Sequence, residues 1–452
     1  MIKFISLGGA NEIGANSYYL NLDGRGILLD AGQHPRKKDN KMFPNINYIK
    51  DKNVDSIIIS HAHIDHIGAL PFYLKLFPYL RPFMTVPTAY LTQIMLRNSY
   101  NILKAEYNID PAFYDTTLSD MIFNVTKPYP YHQEFELIPF QYPSENKITC
   151  KFYEAGHIIG SACTLIKFGN KNILYTGDIS KKDQSLIPGI NLPKEKINIL
   201  IIETTTAGDE NRKPNRNIII DDFISSISKI ISSGGSVLIP VFALGKSQEI
   251  LYIIHKAIKN NLIQNINIFT GELHNKISSI YDIFNFNIPR IEKGFEFKEI
   301  NQNKINRNIN ENEFLYTPGI VLAPGGMMDK NTLSYELLLR MIENINHGIF
   351  FVGYTDPESP GYLIKNSVNK NVINSDLFPK QLKINSSIKS FGFSSHASLE
   401  DLINIILELN PEIVIPVHGS IDGQKRLKEY LIDRDYKGEY IIPSDGLEII
   451  LD

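Results

Sequence analysis

Three imidazoles and a carboxylate fall within six residues at His61-Ala62-His63-Ile64-Asp65-His66. Imidazole nitrogens and carboxylate oxygens are ligands for divalent metals, and an apolar core would not tolerate so many unpaired polar groups. The chemistry that such a cluster can support is metal-assisted hydrolysis. Before it runs Ser56-Ile57-Ile58-Ile59-Ser60, short, β-branched and bounded by polar residues, which reads as a buried strand. Two apart in extended chain, His61 and His63 point to the same side. Asp65 and His66 open the apolar segment Ile67-Gly68-Ala69-Leu70-Pro71-Phe72-Tyr73, where a helix begins. One strand end therefore offers two ligand pairs facing different ways, which suits two ions better than one. Three further candidates sit at turns. Asp30 ends the run Ile27-Leu28-Leu29, His157 lies in Ala155-Gly156-His157-Ile158-Ile159-Gly160, and Asp178 ends Leu174-Tyr175-Thr176-Gly177. Singly, each is as much a cap or turn residue as a ligand.

The elements that must carry these residues follow from length and texture. At 452 residues the chain exceeds the size at which one core stops growing, so two domains are expected. Apolar runs recur near 27–30, 56–60, 164–168, 173–176 and 197–202, interrupted by a helix-rich stretch from Tyr73 to Asp120. A polar, Pro-containing linker at Asp209–Asn217 then changes the texture. Helical period over Ile218–Ser232 and Lys246–Ile258 alternates with buried strands at Ser236–Val241, Ile266–Phe269, Gly319–Ala323 and Gly348–Gly353. That rhythm predicts a parallel sheet between helices. Phe297–Glu313, rich in Asn, Lys and Glu, reads as an exposed loop. Phe391-Gly392-Phe393-Ser394-Ser395-His396 then leads into a helix over Glu400–Leu409, and Glu412–Val417 is a strand ending in His418.

Leu244-Gly245-Lys246-Ser247 imitates the end of a phosphate-binding P-loop, but the glycine required five residues before Gly245 is Pro240, so no NTPase is expected. With a 43% hydrophobic fraction, a 21% charged fraction and a net charge of −3, the chain lacks the Lys/Arg excess of a protein that coats duplex DNA. A local basic cleft stays compatible with that balance. Cys150 and Cys163 are the only cysteines, which excludes a disulfide framework and a thiolate zinc cluster. The opening apolar stretch is too short for a signal peptide and reads as a first strand, and no run could span a bilayer. The expectation is a soluble, cytoplasmic protein with no membrane partner. Oligomeric state is not legible, and a homodimer stays open.

Asp30, the His-x-His-x-Asp-His segment, His157 and Asp178, in that order, resemble the metallo-β-lactamase fold. Glu203 at the end of Ile201-Ile202, then His396 and His418, extend the resemblance to its β-CASP branch, where they match motifs A, B and C. Pro240-Val241-Phe242-Ala243-Leu244-Gly245-Lys246-Ser247-Gln248-Glu249 and Gly325-Gly326-Met327-Met328 resemble the β-CASP insert itself. After Glu203 the branch often carries Thr-Tyr-Gly, whereas Thr205-Thr206-Ala207-Gly208 stands here. The chain looks most similar to the endonuclease subunits of pre-mRNA 3′-end cleavage complexes and their bacterial and archaeal relatives, with ribonuclease J a step further away. Neither a preceding KH region nor the C-terminal domain of ribonuclease J is expected.

The resemblance implies an α/β fold, a metallo-β-lactamase αββα sandwich interrupted by an inserted β-CASP domain with a parallel sheet flanked by helices. Residues 1–205 and 385–452 would form the sandwich and 206–384 the insert. It implies two Zn2+ ions, one on His61, His63 and His157, the other on Asp65, His66 and His418, with Asp178 between them. Asp30 would orient a ligand histidine. A hydroxide held between the ions would attack phosphorus in line, with Asp65, His396 and Glu203 as the catalytic set, His396 assisting the leaving group and Glu203 holding its other ring nitrogen. Ser394 and Ser395 would contact a substrate phosphate, or else cap the following helix. The implied substrate is single-stranded RNA, because a histidine at motif C goes with RNA in the family. Endonuclease action is favoured and 5′-to-3′ exonuclease action stays open. The competing readings are a small-molecule hydrolase of the same fold and a non-catalytic RNA-processing scaffold.

Overall fold

A computed structural model of the chain describes residues 1–107, 116–138, 147–209, 215–306, 308–367 and 372–452. Two compact units emerge: Met1–Glu210 with Ser395–Asp452, and Asn211–Ser394. The first unit is built on two seven-stranded sheets. One runs Glu448–Ile450, Ile2–Gly8, Ser17–Leu22, Arg25–Leu29, Ser56–Ile58, Arg81–Thr85 and Lys127–Tyr129, antiparallel at its first three pairings and parallel thereafter. The other runs Glu439–Tyr440, Ile413–Val417, Ile199–Glu203, Lys171–Tyr175, Ala162–Phe168, Ile148–Glu154 and Glu134–Glu136.

The strands alternate because they face two ways. Phe4, Tyr18, Leu20, Ile27, Leu29 and Ile58 from the first sheet meet Phe152, Ile166, Ile173, Tyr175, Ile201 and Ile415 from the second in one core. The opposite face of the second sheet, through Leu165, Leu174, Leu200, Ile202 and Val414, buries the apolar stripes of Leu399–Leu409 and Ile421–Asp433. On the first sheet, the helix Val86–Tyr107 packs against Arg81–Thr85 and Lys127–Tyr129. The result is the helix–sheet–sheet–helix sandwich expected from the sequence, since each sheet has one apolar face for its partner and one for helices. The stretch read as helix-rich from Tyr73 to Asp120 carries the helix Val86–Tyr107 and parts of Leu70–Leu76 and Thr116–Val125, and a strand besides. That strand, Arg81–Thr85, has its four last residues all buried, so it shows no two-residue alternation to read.

The second unit carries a six-stranded, wholly parallel sheet ordered Gln302–Lys304, Ile268–Thr270, Ile320–Pro324, Val237–Val241, Gly348–Phe351 and Ser387–Ser390. Helices Arg216–Ser232 and Leu333–Met341 pack on its central strand. The polar stretch 297–313, read as an exposed loop, supplies the edge strand Gln302–Lys304 and buries Phe297 and Ile305. Its polar composition hides these two apolar anchors and a third, Ile300. The linker at 209–217 lies largely outside the described residues. Among the described residues no helix is long and apolar enough to cross a membrane.

His274 is buried in this unit, with Ser247 Oγ beside Nδ1 and Ser278 Oγ 3.2 Å from Nε2. Burial pulls its pKa down to about 4. The unfolded chain, with an ordinary histidine near 6.5, takes up the proton first as the solution is acidified. The contribution of neutral His274 is therefore whole above about pH 6.5 and is lost as the pH falls toward 4, by ~3 kcal/mol in all. Denaturant midpoints of this unit should fall more steeply between pH 7 and 4.5 in the wild type than in His274→Gln. Parallel profiles would mean that other groups set its acid lability.

Candidate metal centre

The candidate donors lie in the first unit, on loops just beyond strand ends or, for Asp65 and His66, on the short helix Ile64–Ile67. After Ser56–Ile58 the chain carries His61 out of the sheet and turns at His63 into the short helix Ile64–Ile67. Gly32 lies against that turn so closely that a Cβ there would stand 1.7 Å from the Asp65 carbonyl oxygen. Ala31 N–H and Gln33 N–H bond the carbonyls of His66 and Ile64 and lock the two loops together.

Nε2 of His61, Nδ1 of His63 and Nε2 of His157 converge, His63 Nδ1 lying 3.0 and 3.1 Å from the other two. The second nitrogens of His61 and His157 are engaged. His157 Nδ1–H donates to the Ser395 carbonyl at 2.9 Å. Ser60 Oγ gives its proton to Asp30 at 2.7 Å, so it accepts from His61 Nδ1–H at 3.1 Å. Burial, reinforced by neighbouring imidazoles, keeps His61 and His157 well below the usual histidine range and thus neutral.

The second group is Asp65, His66 and His418, whose donor atoms all lie within 4.8 Å of one another. His66 Nδ1 donates to Asp30 Oδ2 at 2.7 Å, which leaves Nε2 facing the group. Asp30 is fully buried and adopts a left-handed backbone (φ +59°) to reach this position. Its carboxylate also accepts from Ser60 N–H and from Tyr175 Oη, at 2.7 and 2.5 Å. Despite burial, the carboxylates of Asp178, Asp65 and Asp30 raise His66 well above the ordinary histidine value.

Asp178 stands between the groups. Its Oδ2 is 3.6 Å from both His61 Nε2 and His157 Nε2, and its Oδ1 is 3.4 Å from His66 Nε2 and 3.5 Å from His418 Nε2. Burial disfavours the carboxylate, yet His418, His66 and His61 together hold its pKa well below normal. Oδ1 is buried and, among the described residues, has no hydrogen-bond partner. Such an oxygen costs stability unless something positive fills the gap. A divalent ion bound by nitrogen and oxygen ligands fits that gap, and a tetrahedral site with ~2.0–2.1 Å metal–nitrogen bonds spaces its ligands much as these nitrogens are spaced.

Beside the first group, His396 Nδ1–H donates to Glu203 Oε1 at 3.1 Å, and its ring lies 4.6 Å from that of His157. Glu203 is itself fixed at the end of Ile199–Glu203 by Ile179 N–H (2.8 Å) and Thr205 N–H (3.2 Å). Burial would lower the His396 pKa, but Glu203, then Asp178 and Asp65, raise it overall. Ser394 and Ser395 do not cap the helix that follows. Ser398 does, in a capping box with Asp401, because it alone stands one residue before Leu399–Leu409. Ser395 instead gives its carbonyl to His157 and its hydroxyl to Gln184, while the Ser394 carbonyl accepts from Arg216.

The family models match in the same order as the elements. Residues 19–205 match a metallo-beta-lactamase superfamily domain, 247–364 a Beta-Casp domain, and 381–443 a Zn-dependent metallo-hydrolase RNA specificity domain. An RNase J-like protein of Methanocaldococcus jannaschii is 30% identical over 416 residues, covering 91% of each chain. This chain belongs to the β-CASP family of metallo-β-lactamase-fold nucleases. Among other β-CASP relatives, an Integrator complex subunit 11 homolog of Dictyostelium discoideum is 27% identical across all of this chain and 61% of its own length. A cleavage and polyadenylation specificity factor subunit 3-I of Arabidopsis thaliana is 28% identical over 94% of this chain and 60% of its own. A solved protein of unknown function from Enterococcus faecalis V583 shares the fold, with a TM-score of 0.59, 14% identity and 99% coverage of both chains. A metallo-β-lactamase fold implies a divalent metal, and the His/Asp groups described above are able to hold one.

Sequence reasoning names the candidate donors of this β-CASP centre and Asp30 behind them, but not the other groups that touch them. Ser60, Tyr175 and Asn16 each touch a donor or its anchor. Only Ser60 had a signal, its place beside His61.

Proposed function

We propose that this β-CASP protein is a two-zinc ribonuclease that hydrolyses phosphodiester bonds in single-stranded RNA. The position of Asp178, with one oxygen toward each of two donor groups, is the observation that carries this reading. His61, His63 and His157 would hold one ion and Asp65, His66 and His418 the other, with Asp178 shared. A donor set of imidazoles and carboxylates without cysteine suits catalytic zinc. When bound, such a pair supplies Lewis acidity toward the phosphoryl oxygens and generates a nucleophile from water near neutral pH.

The chain's own groups do the rest. Water adds to phosphorus as the P–O bond to the departing ribose oxygen breaks, and that oxygen must gain a proton. His396 is the proton donor: Glu203 holds Nδ1–H, which leaves Nε2 to serve the leaving group. A pKa raised by Glu203 against the pull of burial keeps it charged further toward neutrality. Asp30 keeps His66 aimed through its Nδ1–H. Ser394 and Ser395 are the proposed contacts to a substrate phosphate. The match of residues 381–443 to an RNA specificity domain supports RNA over a small-molecule ester. The full donor set weighs against a non-catalytic scaffold.

The zinc-loaded protein should cut a circular single-stranded RNA, as expected of an endonuclease and in keeping with a relative named for cleavage and polyadenylation. An intact circle beside a degraded linear 5′-monophosphate RNA would instead assign an exonuclease that needs an end. Two intact RNAs would remove the ribonuclease reading.

A further inference from the structure

Asn16 contacts all three residues of the second donor group. Its backbone N–H and its Nδ2 both donate to the Asp65 carbonyl, at 3.1 and 3.0 Å. Nδ2 also lies 3.1 Å from His66 Nε2. Its Oδ1 lies 2.7 Å from His418 Nδ1 and 3.0 Å from Tyr18 Oη.

These contacts fix more than distances. A backbone carbonyl can only accept, so the amide end facing Asp65 must be the NH2 and the end facing His418 must be the oxygen. An amide oxygen can only accept in turn, so Nδ1 of His418 must carry the proton. The lone pair then resides on Nε2, the nitrogen 3.5 Å from Asp178 Oδ1 and 3.7 Å from Asp65 Oδ2. Tyr18 supports the same arrangement. Its phenol is buried, and burial together with Asp30 raises its pKa well above the ordinary value, so it stays a donor to Oδ1.

The main chain closes the clamp. His418 adopts a left-handed backbone (φ +53°), and its N–H donates to the Gly9 carbonyl at 2.8 Å. Gly9 has φ +79°, and a Cβ there would lie 2.4 Å from Asn16 Oδ1 and 2.9 Å from Tyr18 Oη. The amide occupies space that only glycine leaves open.

We infer that Asn16, backed by Tyr18 and Gly9, is the positioning residue of the second metal site: it sets His418 in the Nδ1–H tautomer and holds Asp65 and His66 beside it. That assignment of a second metal rests on the two-ion reading above, whereas the tautomer does not. A partner that fixes a ligand's tautomer and ring orientation is worth about 10–100-fold in metal affinity.

Two measurements on the intact chain separate the claims. In zinc-free protein with 15N-labelled histidine, long-range 1H–15N spectra report each ring's tautomer, and His418→Gln identifies the His418 signals. His418 should be the Nδ1–H form in wild type and in Asn16→Asp, which keeps an acceptor, and should become mixed in Asn16→Leu. An Nε2–H ring in wild type, or an unchanged one in Asn16→Leu, overturns the inference.

Zinc competition with a chromophoric chelator provides the second readout. Asn16→Leu should weaken the more loosely held ion by about 10–100-fold. Added to His418→Ala it should cost clearly less than it does alone, because part of its effect runs through that ring. Equal losses in both backgrounds would make Asn16 a general structural residue and overturn its role. One zinc in a wild type with the expected tautomer would sink the two-ion reading and leave the tautomer assignment standing.

Discussion

Replacing His396 with alanine should lower RNA turnover by ~10²–10⁴, the range for a lost general acid, while zinc content stays at the wild-type level. The reasoning is geometric. His396 lies outside the two donor groups on the first-unit strand ends, yet its ring is 4.6 Å from His157 and its Nδ1–H is committed to Glu203. Removing it takes away a proton donor and leaves the ligands their own anchors, Asp30 for His66 and the Ser395 carbonyl for His157. Glu203→Gln should follow in the same direction with a smaller loss, since an amide can still accept from Nδ1–H but no longer raises the basicity of the ring. Single-turnover cleavage together with elemental analysis tests both variants. Undiminished turnover in His396→Ala would exclude it as the acid; lost zinc would make it a ligand.

Asp178→Ala should do the reverse and empty the centre. Without that carboxylate, His61 and His157 on one side and His66 and His418 on the other face one another with no negative charge between them. The side chain lies within 3.6 Å of donors from both sets, so its loss should reduce bound zinc well below two per chain and abolish cleavage. Asp178→Asn is the sharper probe, because it keeps the shape and removes the charge. Full zinc occupancy in either variant would falsify the shared-ligand role.

The donors were legible because their chemistry is concentrated. A His-x-His-x-Asp-His run has few other uses, and Asp30, Asp178 and Glu203 each end an apolar strand that the sequence marks. The double-sheet core and the parallel sheet of the second unit could be read for the same reason: their strands are continuous apolar runs bounded by turns. Arg81–Thr85 and Gln302–Lys304 escape that logic. The first, Arg81-Pro82-Phe83-Met84-Thr85, opens on Arg and Pro and so offers no unbroken apolar run, and the second is a polar edge whose apolar neighbours, Phe297, Ile300 and Ile305, do the anchoring. The supports of the centre are harder still. The hydrogen bond from His418 to Asn16 spans 402 positions, and that from Tyr175 to Asp30 spans 145, distances over which no periodicity carries information. Folding decides them, through which strand lies next to which.

That span also dictates timing. The strand Ile2–Gly8 is completed by Glu448–Ile450, and Gly9 grips a histidine contributed by the return segment. A nascent chain already contains His61, His63, His157 and Asp178 once residue 178 has been added, but it lacks the second imidazole of the second group until translation passes residue 418. Between residues 178 and 418 the growing chain therefore carries an incomplete donor set. A fragment halted anywhere in the second unit would lack the complete centre, however well its first strands had folded.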